Sequence, residues 1–212
     1  MFDPERKLSE ETPQSPVGAV VAAQNRGIPP QEFHLVDRCR AGDMDAFSEV
    51  YALYQTRVFR YAYHLLGHRD DADDIKQETF LKAYQAIRSF RNDASLQTWL
   101  FKICGNLCRD RIKSWEKRKV DYDGGVICET RQDDRLHANP QEIVERAQTN
   151  EIVMCALRGM PAASREVIVL HELEDLSYAE MAEILGCSSV SAKLRVFRAR
   201  RMLRERVQAL SK

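Results

Sequence analysis

Lys193, Arg195, Arg198, Arg200, Arg201, Arg204 and Arg206 crowd into one stretch of the chain, and Glu205 is the only acid between residues 188 and 212. Cations at that density bind phosphate oxygens, and a guanidinium can also take both acceptors on a guanine edge. The chemistry on offer is non-covalent recognition of a nucleic acid. A basic run by itself is equally a solvated helix face, so the residues between the cations decide. Ala192, Val196, Ala199 and Leu203 recur at steps of four, three and four, which makes them the buried face of one helix and leaves Val190, Leu194, Phe197, Arg198 and Arg201 outward. Just upstream, Ser177 and Glu180 have capping-box spacing, Met181, Ala182, Ile184 and Leu185 form an apolar stripe, and Gly186 allows a sharp stop. Small Ala182 lets the next helix cross closely. A short helix, a tight turn and a basic helix are the parts of a helix-turn-helix, with the second helix shaped for a groove.

Two further groups carry possible chemistry. Asp70, Asp71, Asp73 and Asp74 open a helix whose first turn welcomes negative charge. As neighbours on a helix start, only some of these carboxylates can share a face, so they suit a docking surface better than a metal or an acid-base pair. Farther on, Trp99 and Phe101 stand beside Lys102, Arg109, Arg111 and Lys113, the pairing of aromatic and cation that unpaired bases favour. There is no phosphate-cradling glycine loop and no nucleophile elbow, so an enzyme is not expected, nor a cofactor or small-molecule substrate. The six cysteines contain no C-x-x-C pair; Cys39, Cys104, Cys108, Cys155 and Cys187 read as small buried hydrophobes, with Cys128 and His137 between domains. His64 and His68 have i, i+4 spacing, but Gly67 should end the helix between them. No metal site is expected.

The elements that must position these groups are helices. The chain of 212 residues holds Lys+Arg 32 against Asp+Glu 32, a neutral total, so the segregation of charge rather than its sum is informative. Residues 142–183 run the other way from the terminal helix, with nine acids and three arginines, and this acidic excess should weaken DNA binding by the free chain. The expected fold is all-α: two small helical domains joined by a flexible linker, each of about 80 residues and with its own core. Residues 1–31, with five prolines, read as a flexible tail. Helices near 33–41, 43–66, 70–88 and 95–117 form a domain over 32–117. Residues 118–138, with Gly124 and Gly125, form the linker. Residues 139–212 hold four helices, near 140–159, 161–174, 177–185 and 188–209, the last two being the helix-turn-helix. Val17–Ala23 is too short to span a membrane, so a cytoplasmic protein without membrane insertion is expected.

In order and spacing these blocks resemble the extracytoplasmic-function (ECF) branch of bacterial RNA polymerase sigma factors. Asp71, Ala72, Asp74, Ile75, Gln77, Glu78, Thr79 and Phe80 match one family motif, and Thr98, Trp99, Leu100, Phe101, Lys102, Ile103, Asn106, Asp110 and Ile112 match a second. Leu176 to Ser188 and Ala192 to Arg200 match the family's fourth region. The resemblance covers roughly residues 35–210. It implies a subunit that binds core RNA polymerase, directs it to promoter DNA and assists strand opening, with an anti-sigma protein as a further partner. Asp71, Asp73, Asp74, Gln77, Glu78 and Phe80 would dock on the polymerase clamp. Arg91, Asn92, Asp93, Ser95, Gln97, Thr98, Trp99, Lys102 and Arg109 would meet the −10 element. Ser189, Ser191, Lys193, Leu194, Arg195, Phe197 and Arg198 would meet the −35 element. The chain departs from the family at Leu194, where a small polar residue is common, and at Val190, where glycine is; Leu194 can touch a thymine methyl. Two other readings are a helix-turn-helix activator, which has no use for the 70–113 block, and a sigma mimic that titrates a regulator, which should lack the basic helix.

Overall fold

A computed structural model describes residues 30–90, 93–121 and 152–211 of the chain, and among them there is no strand. The first half holds α1 (Pro30–Arg40), α2 (Met44–Leu66), α3 (Arg69–Ala86), a 3-10 turn (Ile87–Ser89) and α4 (Leu96–Asp121). The second holds α5 (152–158), α6 (Ala162–Ile168) running into a π-helical turn (Val169–Leu173), α7 (Tyr178–Leu185) and α8 (Ser189–Leu210).

Local chemistry sets the boundaries. Asp43 starts α2 by accepting from the amides of Asp45 (2.9 Å) and Ala46 (3.1 Å), and Gly67 ends it at φ 79°, a conformation that costs a side chain energy. That stop separates His64 from His68 as expected. Ser177 and Glu180 form the capping box of α7, Gly186 closes it at φ 61°, and Ser188 then caps α8. The start of α4 is capped from a distance: the carboxylate of Glu32, on α1, accepts from the Leu96 amide.

Two expected boundaries move. Helical backbone continues to Asp121, past the expected linker start at 118, and α1 begins at Pro30, inside the stretch expected to be a tail. The rest of both segments, Arg91, Asn92, Cys128 and His137 lie outside the described residues.

The larger difference is that the two halves are docked. Val50, Tyr61, Ile75, Leu100, Phe101 and Cys104 from the first half are continuous with Ile168, Leu170, Met181 and Val196 from the second, in one cluster of buried side chains. α4 packs on α7, and α2 on α6 and the π turn. The cores expected for each half are thus joined, and each half covers apolar surface of the other.

Candidate nucleic-acid interface

The helix-turn-helix is built as its sequence suggests. Ala192, Val196 and Ala199 face inward and are fully buried, which turns Ser189, Lys193, Leu194, Arg195, Phe197 and Arg198 to the surface. Ser191 is half-buried, with its amide accepted by Ser188 at 3.2 Å, so it serves the cap as well as the face. Arg200 is drawn away to Glu172 at 2.6 Å, and the guanidinium of Arg206 lies against Gly159, away from the outward face near the start of α8.

The acidic helix α3 is more ordered than a simple charged face. Asp71 is held by Arg111, and Asp73 by Lys76 and by Gln77 at 2.8 Å; these bonds lower the Asp73 carboxyl below its usual range. Asp74 and Gln77 are exposed, and Glu78 pairs with Lys82 at 3.1 Å. Phe80 corrects the expectation. It is a core side chain, 4% exposed and edge-on to Tyr51 at 4.7 Å, so it positions α3 and cannot itself touch a partner. Leu81 and Tyr84 stand exposed in its place. The steps 74, 77, 81, 84 trace one outward face, a signal present in the sequence but masked by three consecutive residues, Thr79, Phe80 and Leu81, of which two are buried.

The expected −10 residues are partly covered. Trp99 is half-buried and stacked on Phe90 at 4.7 Å, while Lys102 and Asp93 are exposed. Thr98 is 1% exposed, with its hydroxyl 2.8 Å from that of half-buried Ser95 and 3.5 Å from Glu180 of α7. Gln97 accepts from Arg57 at 2.6 Å. Arg109 is committed to Glu166 and Asn106. Thr98 and Arg109 therefore do not present themselves to DNA in this arrangement, because the second half occupies them.

Two carboxylates fasten that arrangement. Glu166, from α6, is buried against α4, where it accepts from Arg109 and from the Tyr61 hydroxyl at 2.8 Å. Burial raises the Glu166 carboxyl, opposed by Arg109 and the Tyr61 bond, and burial beside Glu166 pushes the Tyr61 phenol well up. Gly105 makes the approach possible, since a Cβ there would lie 2.8 Å from the Tyr61 hydroxyl and 3.0 Å from Glu166. Glu174, at the end of the π turn, has no exposed side-chain surface and takes Arg57 Nε at 3.2 Å and Arg60 Nη2 at 2.8 Å. Arg165 donates across the same seam to the Leu65 carbonyl at 2.7 Å, and Arg158 to the Tyr63 hydroxyl at 3.1 Å. The missed residues are Arg57 and Arg60. Their i, i+3 spacing on α2 and the acidic excess of 142–183 were the available signals.

Cys39, Cys104 and Cys108 are buried, and no group of His, Cys, Asp and Glu able to hold a metal occurs among the described residues. No helix among them is long and apolar enough to cross a membrane.

A helical protein that joins an outward acidic helix, an aromatic and basic helix and a helix-turn-helix has the elements expected of a sigma-70 factor. The Sigma-70 region 2 family model matches residues 50–118, and the Sigma-70 region 4 model matches residues 150–203. The ECF RNA polymerase sigma-E factor of Haemophilus influenzae is 31% identical over 182 residues, covering 83% of this chain and 95% of its own length. That of Escherichia coli is 31% identical over 187 residues, covering 83% and 94%. The sigma factor RpoE in complex with the anti-sigma factor NepR, from Bartonella quintana, superposes with a TM-score of 0.64 at 27% identity, over 76% of this chain and 96% of that one. CnrH in complex with the cytosolic domain of CnrY gives 0.62 at 27%, over 84% and 97%. The chain belongs to the ECF sigma factors of RNA polymerase.

Proposed function

We propose that this sigma factor works in the cytoplasm as a non-catalytic subunit, docking on core RNA polymerase through α3 and reading promoter DNA at two separated sites. The observation that carries this reading is that one chain holds both an outward basic recognition helix, α8, and an outward acidic helix, α3. An activator acting on duplex DNA has no need of the second, and a mimic that titrates a regulator has no need of the first. Asp74, Gln77 and Glu78 supply charge to the docking face, with Leu81 and Tyr84 as apolar anchors. Trp99, Lys102 and, once released, Thr98 and Arg109 meet the −10 element as its strands separate. Ser189, Lys193, Arg195, Phe197 and Arg198 meet the −35 duplex. Docking on polymerase opens the two halves so that both sets engage at once. An anti-sigma protein is the expected regulator, in keeping with the complexes formed by the two similar structures.

The test is transcription in vitro with core polymerase and mapping of the start sites. Promoter-specific transcripts are expected with the wild-type chain and none with Asp74→Arg combined with Glu78→Arg, whose fold should persist because both positions are at least partly exposed. Selective, tight binding of a short duplex by the free chain, with core enzyme inactive beside it, would favour the activator.

A further inference from the structure

The outward face of α8 is not simply basic. Val190, Leu194 and Phe197 are exposed to 76%, 48% and 67%, and their spacing of four and three residues aligns them in one stripe. At about 1.5 Å per residue the stripe is roughly 10 Å long, which is about three base-pair steps. Lys193, Arg195 and Arg198 are exposed on the same helix, and none enters an ion pair among the described residues, whereas Arg200 is held by Glu172 at 2.6 Å and Arg201 faces Glu205 at 3.8 Å. An apolar stripe bordered by available cations complements a surface that is apolar along its middle and anionic at its edges. The major groove of thymine-containing DNA is such a surface: 5-methyl groups line its floor and phosphates its rims. A second copy of this chain fits poorly, because it would set the same three cations against their equals.

We propose that Val190, Leu194 and Phe197 read thymine 5-methyl groups, with Leu194 central, so that the −35 element chosen by this chain carries at least two thymines within three base pairs. The inference rests on the promoter-reading role proposed above and names what that site selects. Leu194 replaces a hydrogen-bonding contact with one that senses shape alone. Such a contact distinguishes thymine from cytosine by its methyl group, and it distinguishes thymine from uracil equally.

The test uses holoenzyme assembled from the full chain and core polymerase. Promoters selected from a library randomised at the −35 element are remade with deoxyuridine in place of each thymine, one at a time, and their affinities compared. Loss of a contacted methyl should weaken binding about three- to four-fold. Leu194→Ala should make the substitution silent at one position and leave its neighbour sensitive. The variant keeps its fold because the side chain is exposed on a helix that alanine favours. Uracil binding as well as thymine everywhere, or an undiminished penalty in Leu194→Ala, overturns the proposal while leaving promoter reading intact. A library that returns no selected promoter overturns the promoter-reading role itself. A free chain that sediments as a dimer, and becomes monomeric with Leu194→Glu, assigns the stripe to a second copy and also overturns it.

Discussion

Replacing Glu174 by glutamine should loosen the second half from the first and raise the affinity of the free chain for −10 DNA. The carboxylate is wholly enclosed and accepts two charge-assisted bonds, from Arg57 Nε at 3.2 Å and from Arg60 Nε at 2.9 Å. Glutamine has nearly the same shape but offers a neutral oxygen to one guanidinium and turns an NH2 group toward the other. The oxygen still accepts from a charged donor, but the bond on the NH2 side is lost, and a hydrogen bond to a charged group is worth about 1.5 to 3 kcal/mol. Arg57 and Arg60 are 38% and 46% exposed, so solvent already shares their charge, and the lower part of the range applies. About 2 kcal/mol in total moves the balance between docked and separated halves by roughly thirty-fold. Where the docked form dominates, that factor appears directly as tighter binding. The assay is fluorescence anisotropy with a forked DNA that carries an unpaired non-template −10 strand, alongside the radius of gyration from small-angle scattering. A variant that keeps its helical circular dichroism, its radius and its DNA affinity would refute the claim that Glu174 holds the halves together.

Gly105→Val should act in the same direction as Glu174→Gln, because even a Cβ would lie 2.8 Å from the Tyr61 hydroxyl and 3.0 Å from Glu166; an unchanged radius of gyration would count against it. Arg198→Ala should cost about 1 to 3 kcal/mol in promoter binding and relax the preference at one or two −35 positions, whereas Arg206→Ala, whose guanidinium lies against Gly159, should leave base preference unchanged in a −35 substitution library. Burial, reinforced by Arg60 and Arg158, holds the His64 imidazole down to about 4, so it is neutral when folded and takes a proton more readily when unfolded. Its share of stability is therefore complete above pH 6.5 and falls between pH 6.5 and about 4, by about 2 to 3 kcal/mol at the bottom of that window. Thermal unfolding across that range should show a smaller loss for His64→Leu than for the wild-type chain.

Much of the fold was legible because its boundaries are written in local chemistry. Ser177, Glu180 and Gly186 act within a few residues of where they stand, and so do Asp43, Gly67 and Ser188. The buried face of α8 was legible because Ala192, Val196 and Ala199 are separated by charged or exposed residues, so one period fits them. In α3 the run Thr79-Phe80-Leu81 fits two registers, and only packing against Tyr51 decides that Phe80 turns inward and Leu81 outward. The docking of the halves was the least legible feature. Acidic excess in residues 142–183 announced a cationic counterpart, but nothing local distinguishes DNA-directed cations from Arg57, Arg60 and Arg109, which lie 57 to 117 positions from their carboxylates.

The cap that Glu32 places on α4 has a consequence for the protein as it is made. Its donor, Leu96, lies 64 positions downstream, so the capping carboxylate has already left the ribosome when α4 begins to emerge. The first half can therefore complete itself during translation. Glu166 follows Arg109 by 57 positions, a delay of roughly 3 to 11 seconds at about 5 to 20 residues per second. For those seconds a nascent chain displays Arg109 with its buried carboxylate not yet made, and Glu180, which reaches Thr98, arrives later still.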